Sequence, residues 1–369
     1  MGDSVPSVPT SRTGALRAYV GCYTTPQRRG TGTGIGVFDI AADGSWHLID
    51  TTATAPNPSY LITDCEERTL YAAHGDGSRV SALRIDSSTG RLRVLEHYDT
   101  GGTNVVHLAL SPDERHLVAA NYATGSVAVF RRRPDGRLAA RTQLLGLTGQ
   151  PGPVHGEQTG PHPHEVRFDP SGTHIVVPDK GTDRLHRLRY TASSGWLSEL
   201  GPPVRAAPGA GPRHLVYHPR LPMVYVVDEL SSHLGVYGYD AGSANLTLVQ
   251  RVSTLPREFA GENAAAEVIL DRDARFVHVS NRGHQSVASY PITSAGLVGA
   301  PVFTSVQGQE PRFMTFDTVG TTLYVANQRS DTIVAFDYSP ATGALRACPT
   351  VVATGSPSAI VFTRAGMGS

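Results

Sequence analysis

Hydrophobic and polar residues alternate along most of the chain in short runs, which is the period expected of β-strands with one buried face. One such run recurs seven times and ends each time in a small, amide or charged residue. Helical periodicity is almost absent between the copies, so the chain is built from a repeated β-unit. The copies are RAYVGC (17–22), LYAAHG (70–75), LVAANY (117–122), IVVPDK (175–180), VYVVDE (224–229), VHVSNR (277–282) and LYVANQ (323–328).

The sequence around each copy predicts three further strands. A third strand follows, such as TIVAFDY (332–338), and a GxL turn then leads into a fourth. An inner strand headed by Pro or a small residue precedes most copies; examples are PSYLIT (58–63), PHEVRF (163–168), PRHLVY (212–217) and PRFMTF (311–316). Seven four-stranded units arranged radially form an all-β, seven-bladed β-propeller, which protects its sheet edges by repetition.

The two ends of the chain predict how the ring closes. The first copy has no inner strand before it, whereas PSAIVF (357–362) is an inner strand left over at the other end. We therefore expect the C-terminal strand to complete blade 1. The predicted organisation is a single propeller over residues 16–363, with a disordered N-terminal tail at 1–15 and a C-terminal tail at 364–369.

Composition narrows the possible partners and the compartment. Lys+Arg and Asp+Glu are both 32, so the formal net charge is zero and neither nucleic acid nor a membrane surface is an expected partner. The expected partner is a small molecule. No signal peptide or apolar run of membrane-spanning length is evident. Because Cys22, Cys65 and Cys348 are few and far apart, we expect no disulfide framework and a cytoplasmic protein. We also expect a monomer or a weak homodimer, although the sequence has no signature of oligomeric state.

Two repeat positions are expected to surround one pocket, because the loop into the innermost strand and the loop after the second strand open on the same face of a propeller. The inner ring, at the head of the innermost strand in blades 1 to 7, consists of Ser358, Ser59, Val106, His164, Arg213, Ala266 and Arg312. The second ring consists of Gly21/Cys22, His74/Gly75, Asn121/Tyr122, Asp179/Lys180, Asp228/Glu229, Asn281/Arg282 and Asn327/Gln328. Ionisable groups concentrate in blades 4 to 7, on one side of the predicted mouth.

Several of these residues have a structural interpretation. Asn and Asp after a strand are common turn formers, which accounts for Asn121, Asp179, Asp228, Asn281 and Asn327. Paired arginines could instead bind carboxylates of neighbouring blades, and His162 could be a satisfied polar residue, although His162 and Gln328 remain candidates for substrate binding. No carboxylate or histidine cluster of convincing spacing joins His162 and His164, so no metal and no cofactor are predicted.

Longer motifs around these residues resemble the seven-bladed propeller lactonase family, which groups cycloisomerase-type 6-phosphogluconolactonases with carboxy-muconate lactonizing enzymes. They are GPHPHEV (160–166), GPRHLVYHP (211–219), VYVVDEL (224–230), VSNRGHQSVASY (279–290) and EPRFMTF (310–316) followed by LYVANQRSDTI (323–333). The resemblance implies catalytic roles for His164, Arg213, Glu229 and Arg282. Blade 6 departs from the family pattern, since EVILDRDARF (267–276) has Ile269 where a polar residue is frequent.

The residue types suit lactone chemistry. Ring opening needs a base for water and an electrophile for the developing oxyanion, whereas ring closure onto an alkene needs a held carboxylate and a proton delivered to carbon. We expect His164 and Glu229 to transfer protons, with either as the base. Arg213, Arg282 and either Arg312 or Lys180 are expected to hold the anionic part of the substrate.

Three functions follow from the sequence. The first is hydrolysis of a small anionic sugar lactone, above all 6-phosphogluconolactone. The second is a lactonizing or cyclising isomerase, for which the divergent blade 6 and the enlarged loop GLTGQPGPVHGEQTG (146–160) leave room. The third is a non-catalytic binding propeller, against which stand the absent WD dipeptide of scaffold propellers and the ionisable cluster at the mouth.

Overall fold

The computed structural model describes residues 16–364, so the predicted tail at 1–15 and residues 365–369 lie outside the described residues. Seven antiparallel sheets form a ring, which confirms the predicted all-β, seven-bladed propeller. One short 3-10 helix, Pro26–Arg28, follows the first strand. No helix between residues 16 and 364 is long and apolar enough to cross a membrane.

The strands of each blade are given from the channel outward, except that β16 pairs only with β14. Blade 1 contains β29 (Pro357–Arg364), β1 (Leu16–Cys22), β2 (Ile35–Ile40) and β3 (Trp46–Thr52). Blade 2 contains β4 (Pro58–Thr63), β5 (Thr69–His74), β6 (Arg79–Ile85) and β7 (Leu92–Asp99). Blade 3 contains β8 (Val105–Leu110), β9 (His116–Asn121), β10 (Ser126–Arg132) and β11 (Leu138–Gly146). Blade 4 contains β12 (Arg167–Phe168), β13 (His174–Asp179), β14 (Arg184–Thr191), β15 (Trp196–Glu199) and β16 (Val204–Arg205).

Blades 5 to 7 follow the same order. Blade 5 contains β17 (Pro212–Tyr217), β18 (Met223–Asp228), β19 (His233–Asp240) and β20 (Asn245–Ser253). Blade 6 contains β21 (Ala264–Leu270), β22 (Phe276–Arg282), β23 (Ser286–Pro291) and β24 (Val302–Ser305). Blade 7 contains β25 (Pro311–Phe316), β26 (Thr322–Asn327), β27 (Thr332–Tyr338) and β28 (Leu345–Ala353).

The C-terminal strand closes the ring as predicted. β29 pairs antiparallel with β1, with Val20 opposite Ile360 and Leu16 opposite Arg364. The strand therefore extends to Arg364, one residue past the predicted end of the propeller. Because β29 and β1 share one sheet, blade 1 has four strands like its neighbours.

Apolar packing holds adjacent blades together. Seven clusters of buried side chains lie one at each interface between neighbouring blades, including the interface of blades 7 and 1, where Ala326 and Ile333 pack with Val20. All six residues of β5, β9, β13 and β18 are buried. Burial on both faces explains why the second strand is the most hydrophobic part of each repeat.

Three tyrosines at the same repeat position also connect neighbouring blades. Each lies in the second strand of one blade and donates its hydroxyl hydrogen to a glycine carbonyl in the last turn of the next blade. Those glycines have φ between +71° and +85°, a conformation that favours glycine and accounts for the GxL turn. The pairs are Tyr19 with Gly90 (3.0 Å), Tyr71 with Gly136 (2.6 Å) and Tyr225 with Gly296 (2.9 Å).

Blade 4 departs from the predicted inner strand at 163–168. Only Arg167–Phe168 is a strand, and Pro163 contributes a single bridge to Asp179. The backbone N–H of Val166 donates to Nδ1 of His107 at 3.4 Å instead of to the sheet. The side chain of Glu165, the residue before Val166, accepts a hydrogen bond from the backbone N–H of Leu215 in blade 5. The inner edge of blade 4 therefore combines isolated backbone hydrogen bonds to β13, such as that from the His164 N–H to the Pro178 carbonyl at 2.9 Å, with side-chain contacts to blades 3 and 5. His164 lies in this irregular segment.

Candidate active site

A β-bulge places the inner-ring side chain in most blades. In blade 5, Pro212 pairs with Asp228 and His214 with Val227, which leaves Arg213 as the extra residue. The register shifts in the same way at Ser59, Val106, Arg312 and Ser358. A bulge redirects side chains locally. The local geometry is thus repeated around the ring, and the residue at the bulge decides what each blade contributes.

The predicted residues converge on a cavity of about 250 Å³ at the mouth of the channel. This volume, below the range common for drug-sized ligands, suits a small substrate. Five of the predicted site residues line it directly, and Arg213 lines the void immediately below. The five are His164, Lys180, Glu229, Arg282 and Arg312, joined by Arg28, Asn104, Val106, Tyr122 and Glu157.

Glu229 is the centre of the charged cluster. Its Oε1 lies 2.9 Å from Nζ of Lys180, and its Oε2 lies 3.0 Å from Nε of Arg213 and 3.3 Å from Nη2 of Arg282. Burial alone would raise the pKa of Glu229, but these three cations together hold it well below its usual range. Such a carboxylate is a weak base, and its position favours a role in holding the three cations in place.

Positive charge exceeds negative charge around the mouth. Burial lowers the pKa of Arg213 to about 10, so this guanidinium is still protonated at neutral pH. Lys180, Arg213, Arg282 and Arg312 are four cations that face three carboxylates, namely Glu229, the half-exposed Glu157 and, beside Arg213, Glu267. The surplus favours an anionic ligand.

Arg312 is the cation without an anionic partner. No ion pair or side-chain hydrogen bond joins it to any residue between 16 and 364. Its guanidinium carbon instead lies 5.2 Å from the centre of the Tyr23 ring, which Arg28 also approaches, at 5.4 Å. Arg312 is therefore held in place by an aromatic face while its hydrogen-bond donors remain available to a ligand.

The enlarged loop 146–160 contributes to this cavity. Glu157 accepts a hydrogen bond from Nζ of Lys180 at 2.7 Å, and Gln158 donates to the backbone carbonyl of the same lysine at 2.8 Å. The loop thus places a carboxylate at the mouth, where Lys180 is shared between Glu157 and Glu229.

His164 is the buried group with free bonding capacity. Neither of its ring nitrogens has a hydrogen-bond partner within the described part of the chain, and Nδ1 is fully buried. The ring packs edge-on against Tyr122 and His214, with ring centres 5.6 and 5.1 Å apart. Burial, followed by the charge of Arg213, holds the pKa of His164 well below its usual range. A neutral imidazole with two free nitrogens can accept a proton on one and release a proton from the other.

Two predicted substrate contacts lie outside both cavities. His162 stacks on the ring of Tyr122, with centres 4.6 Å apart, and its two ring nitrogens lie 2.9 Å from the Thr159 hydroxyl and the Tyr122 carbonyl. It therefore supports the mouth from behind. Gln328 is buried, and the described structure gives it a backbone hydrogen bond to Glu310 but places it in neither cavity lining.

A second set of residues, all but one of them ionisable, lies one position after the bulge and escaped the sequence analysis. We call it the lower ring; it comprises Tyr60, His107, Glu165, His214, Glu267 and Phe313. Nδ1 of His214 lies 2.8 Å from Oε1 of Glu267. Burial alone would raise the pKa of Glu267, but His214 and nearby arginines lower it. Despite this concentration, residues 16–364 contain no group of three or more such side chains arranged to hold a metal ion.

The divergent residue of blade 6 lies away from the site. Ile269 packs in the apolar interface between blades 6 and 7 rather than on the cavity wall. The register shift of this blade is longer than elsewhere, running from Ala265 to Val268. As a result blade 6 contributes Glu267 to the channel, and the Ala266 carbonyl accepts a hydrogen bond from Arg213.

Comparisons with known proteins agree over the whole ring. A family model described as lactonase, 7-bladed beta-propeller matches residues 17–362. A 6-phosphogluconolactonase of Bacillus subtilis is 32% identical over 349 residues, covering 93% of this chain and 97% of the relative. A 6-phosphogluconolactonase of Formosa agariphila is 28% identical over 359 residues, covering 94% and 99%. The structure of a periplasmic gluconolactonase from Pseudomonas aeruginosa has a TM-score of 0.87 at 31% identity, covering 94% and 99%.

Proposed function

Because the chain belongs to the seven-bladed β-propeller lactonase family, we propose that it hydrolyses a sugar lactone that carries an anionic group, with 6-phosphogluconolactone as the favoured substrate. The family relation supports lactone hydrolysis, and two relatives bear the name 6-phosphogluconolactonase. The mouth itself supports the choice of an anionic lactone over a neutral one.

One observation carries the proposal: His164 and Arg312, which border the mouth, both lack the partners that buried or half-buried polar groups normally have. A ligand with a phosphate group and an ester group would supply hydrogen-bond partners for both residues. Arg312 would bind the phosphate together with Lys180 or Arg282, since guanidinium and ammonium groups are the usual partners of phosphate oxygens. The lactone group would then lie against His164.

Each charged residue has a role in this proposal. Glu229 fixes the positions of Lys180, Arg213 and Arg282, so that their charges are already oriented when the substrate arrives. Arg213, deepest of the three, stabilises negative charge that develops on the carbonyl oxygen. His164 moves a proton at the reacting group, using its two free nitrogens.

The preference for a phosphorylated lactone over a neutral one is the more specific part of the proposal. One structural neighbour is named a gluconolactonase, without reference to a phosphate. The two substrates differ by a group that is almost doubly charged at neutral pH, and the mouth has a surplus of positive charge to meet it. We therefore expect a higher kcat/KM for the phosphorylated lactone, by about 10-fold or more, the value of one well-formed charged contact. The cytoplasmic location and the monomeric or weakly dimeric state stay predictions.

The test is ring opening of freshly generated 6-phosphogluconolactone and of gluconolactone by the purified protein, with the spontaneous rate subtracted. His164→Ala should reduce kcat by about 10²- to 10⁴-fold, the usual contribution of a proton-transfer group. His47→Ala, an exposed histidine on the outermost strand of blade 1, is the matched control. A wild-type rate equal to the spontaneous rate for both lactones would reject the proposal and make carboxy-muconates the next substrates to assay.

A further inference from the structure

A small void lies directly below the mouth. Its volume is about 20 Å³, enough for one water molecule and too small for a sugar. His164, Arg213, His214, Glu267 and Arg312 contribute to its wall. His164 and Arg312, together with Val106, also line the mouth, so the void and the mouth share a boundary.

Two buried imidazole nitrogen atoms of residues on the wall of this void have no hydrogen-bond partner among residues 16–364. They are Nδ1 of His164 and Nε2 of His214. Buried polar atoms are nearly always hydrogen-bonded, and a water molecule is the usual partner where protein groups do not supply one. A void of one water volume beside two unpartnered imidazoles therefore has the features of a built water site.

The hydrogen bonding of His214 determines which of its nitrogens is free. Oε1 of Glu267 lies 2.8 Å from Nδ1 of His214, and an ionised carboxylate can only accept a hydrogen bond. Nδ1 therefore carries the hydrogen. The more distant contact of Nδ1 with Arg213, at 3.3 Å, would require the opposite tautomer and is the weaker of the two. Nε2 of His214 is then an unprotonated acceptor, in the arrangement by which a carboxylate orients a catalytic histidine.

We propose that this void holds the water that opens the lactone, that His214 is the base for that water, and that Glu267 is its positioning residue. The inference rests on the proposed lactone hydrolysis and deepens it. It assigns the attacking water and its base to the lower ring, one residue beyond the predicted inner ring.

The reaction balances with these groups. The water oxygen bonds to the lactone carbonyl carbon while one water proton passes to Nε2 of His214, and the carbonyl oxygen becomes negatively charged. As the intermediate collapses, the bond between the carbonyl carbon and the ring oxygen breaks. The ring oxygen takes up a proton that His214 releases and His164 relays, which leaves a hydroxy acid. At neutral pH the acid loses one proton to solvent, so the products are a hydroxy-carboxylate and H⁺.

The surrounding charges favour His214 over the other two candidates for the base. The charged and titratable groups facing His214 are His107, His164, Arg213 and Glu267. Glu267 stabilises an imidazolium at His214, whereas His164 has no carboxylate partner and lies beside Arg213. Glu229 is already neutralised by three cations. His214, which has a carboxylate partner, thus acts as the base, and His164, which has none, relays the proton.

The first test separates turnover from binding. His214→Gln and Glu267→Gln are compared with wild type in steady-state hydrolysis of 6-phosphogluconolactone, with Glu199→Gln, an exposed residue of β15, as the control. We expect kcat to fall by about 10²-fold or more in the first variant and about 10-fold or more in the second, with KM changed less than about threefold. Thermal unfolding of each variant verifies that it is folded.

The second test uses readouts that a structural role would not produce. Glu267→Asp should restore part of the kcat that Glu267→Gln loses, because it returns a carboxylate to Nδ1 of His214. A high-resolution crystal structure of the wild type should show one water within hydrogen-bond distance of His164 and His214. An empty void, or undiminished kcat in both Gln variants, would overturn this inference alone. A wild type without any lactone hydrolysis would overturn the proposed function as well.

Discussion

Two cavities meet at Arg28, and the larger one lacks the reactive side chains. The groove, about 720 Å³, runs over blades 1 and 2 and is lined by residues 25, 27–28, 55–57 and 74–79. The mouth cavity is about 250 Å³ and faces blades 3 to 7. Both are bordered by ionisable groups, so size alone would favour the groove.

The difference is in how those groups are bonded. In the groove, Nδ1 of His74 lies 3.0 Å from the Pro56 carbonyl and its Nε2 lies 2.5 Å from the Ser81 hydroxyl, while Arg28 pairs with Asp76. At the mouth, His164 and Arg312 have no such partners within residues 16–364. Unmet bonding capacity, and not volume, therefore distinguishes a reactive site from a satisfied one.

The same contrast runs around the inner ring. Blades 1, 2 and 3 place Ser358, Ser59 and Val106 at the bulge, whereas blades 5 and 7 place Arg213 and Arg312 there. These five blades share the bulge, so the difference in charge between them arises from side-chain identity. Substitutions that remove charge should accordingly have large effects in blades 4 to 7 and small ones in blades 1 to 3.

Among substitutions that remove a single charge at the mouth, the largest effect is expected from Glu229→Gln. The change leaves Lys180, Arg213 and Arg282 without the carboxylate they share, so they repel one another and lose their orientation. Losing one member of a buried charged group typically costs enough to reduce kcat/KM by about 10²- to 10³-fold. Steady-state kinetics with 6-phosphogluconolactone measures this loss of kcat/KM.

Asp76→Asn provides the comparison on the other side of the mouth, because it removes the carboxylate partner of Arg28 in the groove. We expect less than a threefold change there, as for an exposed ion pair. Similar losses in the two variants would show that the groove takes part in catalysis and would remove the contrast between the halves.

A smaller and more selective effect is expected from Arg312→Gln. If this unpaired guanidinium binds the phosphate, KM for 6-phosphogluconolactone should rise by about 10-fold, while KM for gluconolactone should change less than about twofold. Arg346→Gln, an exposed arginine on the outer strand of the same blade, serves as the control. Equal changes for both lactones would mean that Arg312 does not contact the phosphate.

The ring and one half of its mouth could be predicted from the sequence because the repeat carries both. Alternating positions identified the strands, and the leftover PSAIVF segment identified the closure. Aligning the copies then brought His164, Arg213 and Arg312 into register without any knowledge of distances. What failed was the blade 4 inner strand, since its ladder is interrupted where the side chain of His107 accepts the hydrogen bond of Val166, a contact from another blade that a local pattern does not register.

The lower ring was missed for a related reason. A strict alternation sends the residue after Arg213 to the opposite face of the strand, yet the bulge inserts one residue and lets both Arg213 and His214 reach the channel. The signal was present at the aligned position, where Tyr60, His107, Glu165, His214 and Glu267 succeed the inner-ring residues. Recognising this signal in the sequence requires knowing that most blades carry a bulge.

The last effect we predict is on stability and concerns Asp228, which directly precedes Glu229 in the second ring. Asp228 ends β18 with its Oδ1 buried and unpartnered in the described structure, and its Oδ2 lies 3.3 Å from Arg251. Burial raises its pKa to about 7 from the ordinary value of 3.8. In blade 3 the equivalent residue is Asn121, which is neutral at every pH. Blades 5 and 3 should therefore differ in how pH acts on the end of their second strand.

The sign follows from the raised pKa. The folded protein prefers protonated Asp228 and the unfolded chain does not, so the free energy of unfolding decreases as pH rises from about 4 to about 7 and then levels off. Between pH 5 and pH 8 the loss is about 2 to 3 kcal/mol, or a few degrees in Tm. Asp228→Asn should remove this part of the pH dependence, while the exposed Asp273→Asn should keep it. Parallel Tm profiles for wild type and Asp228→Asn would mean that Asp228 is ionised in the folded protein, and the charged half of the mouth would then include one more carboxylate.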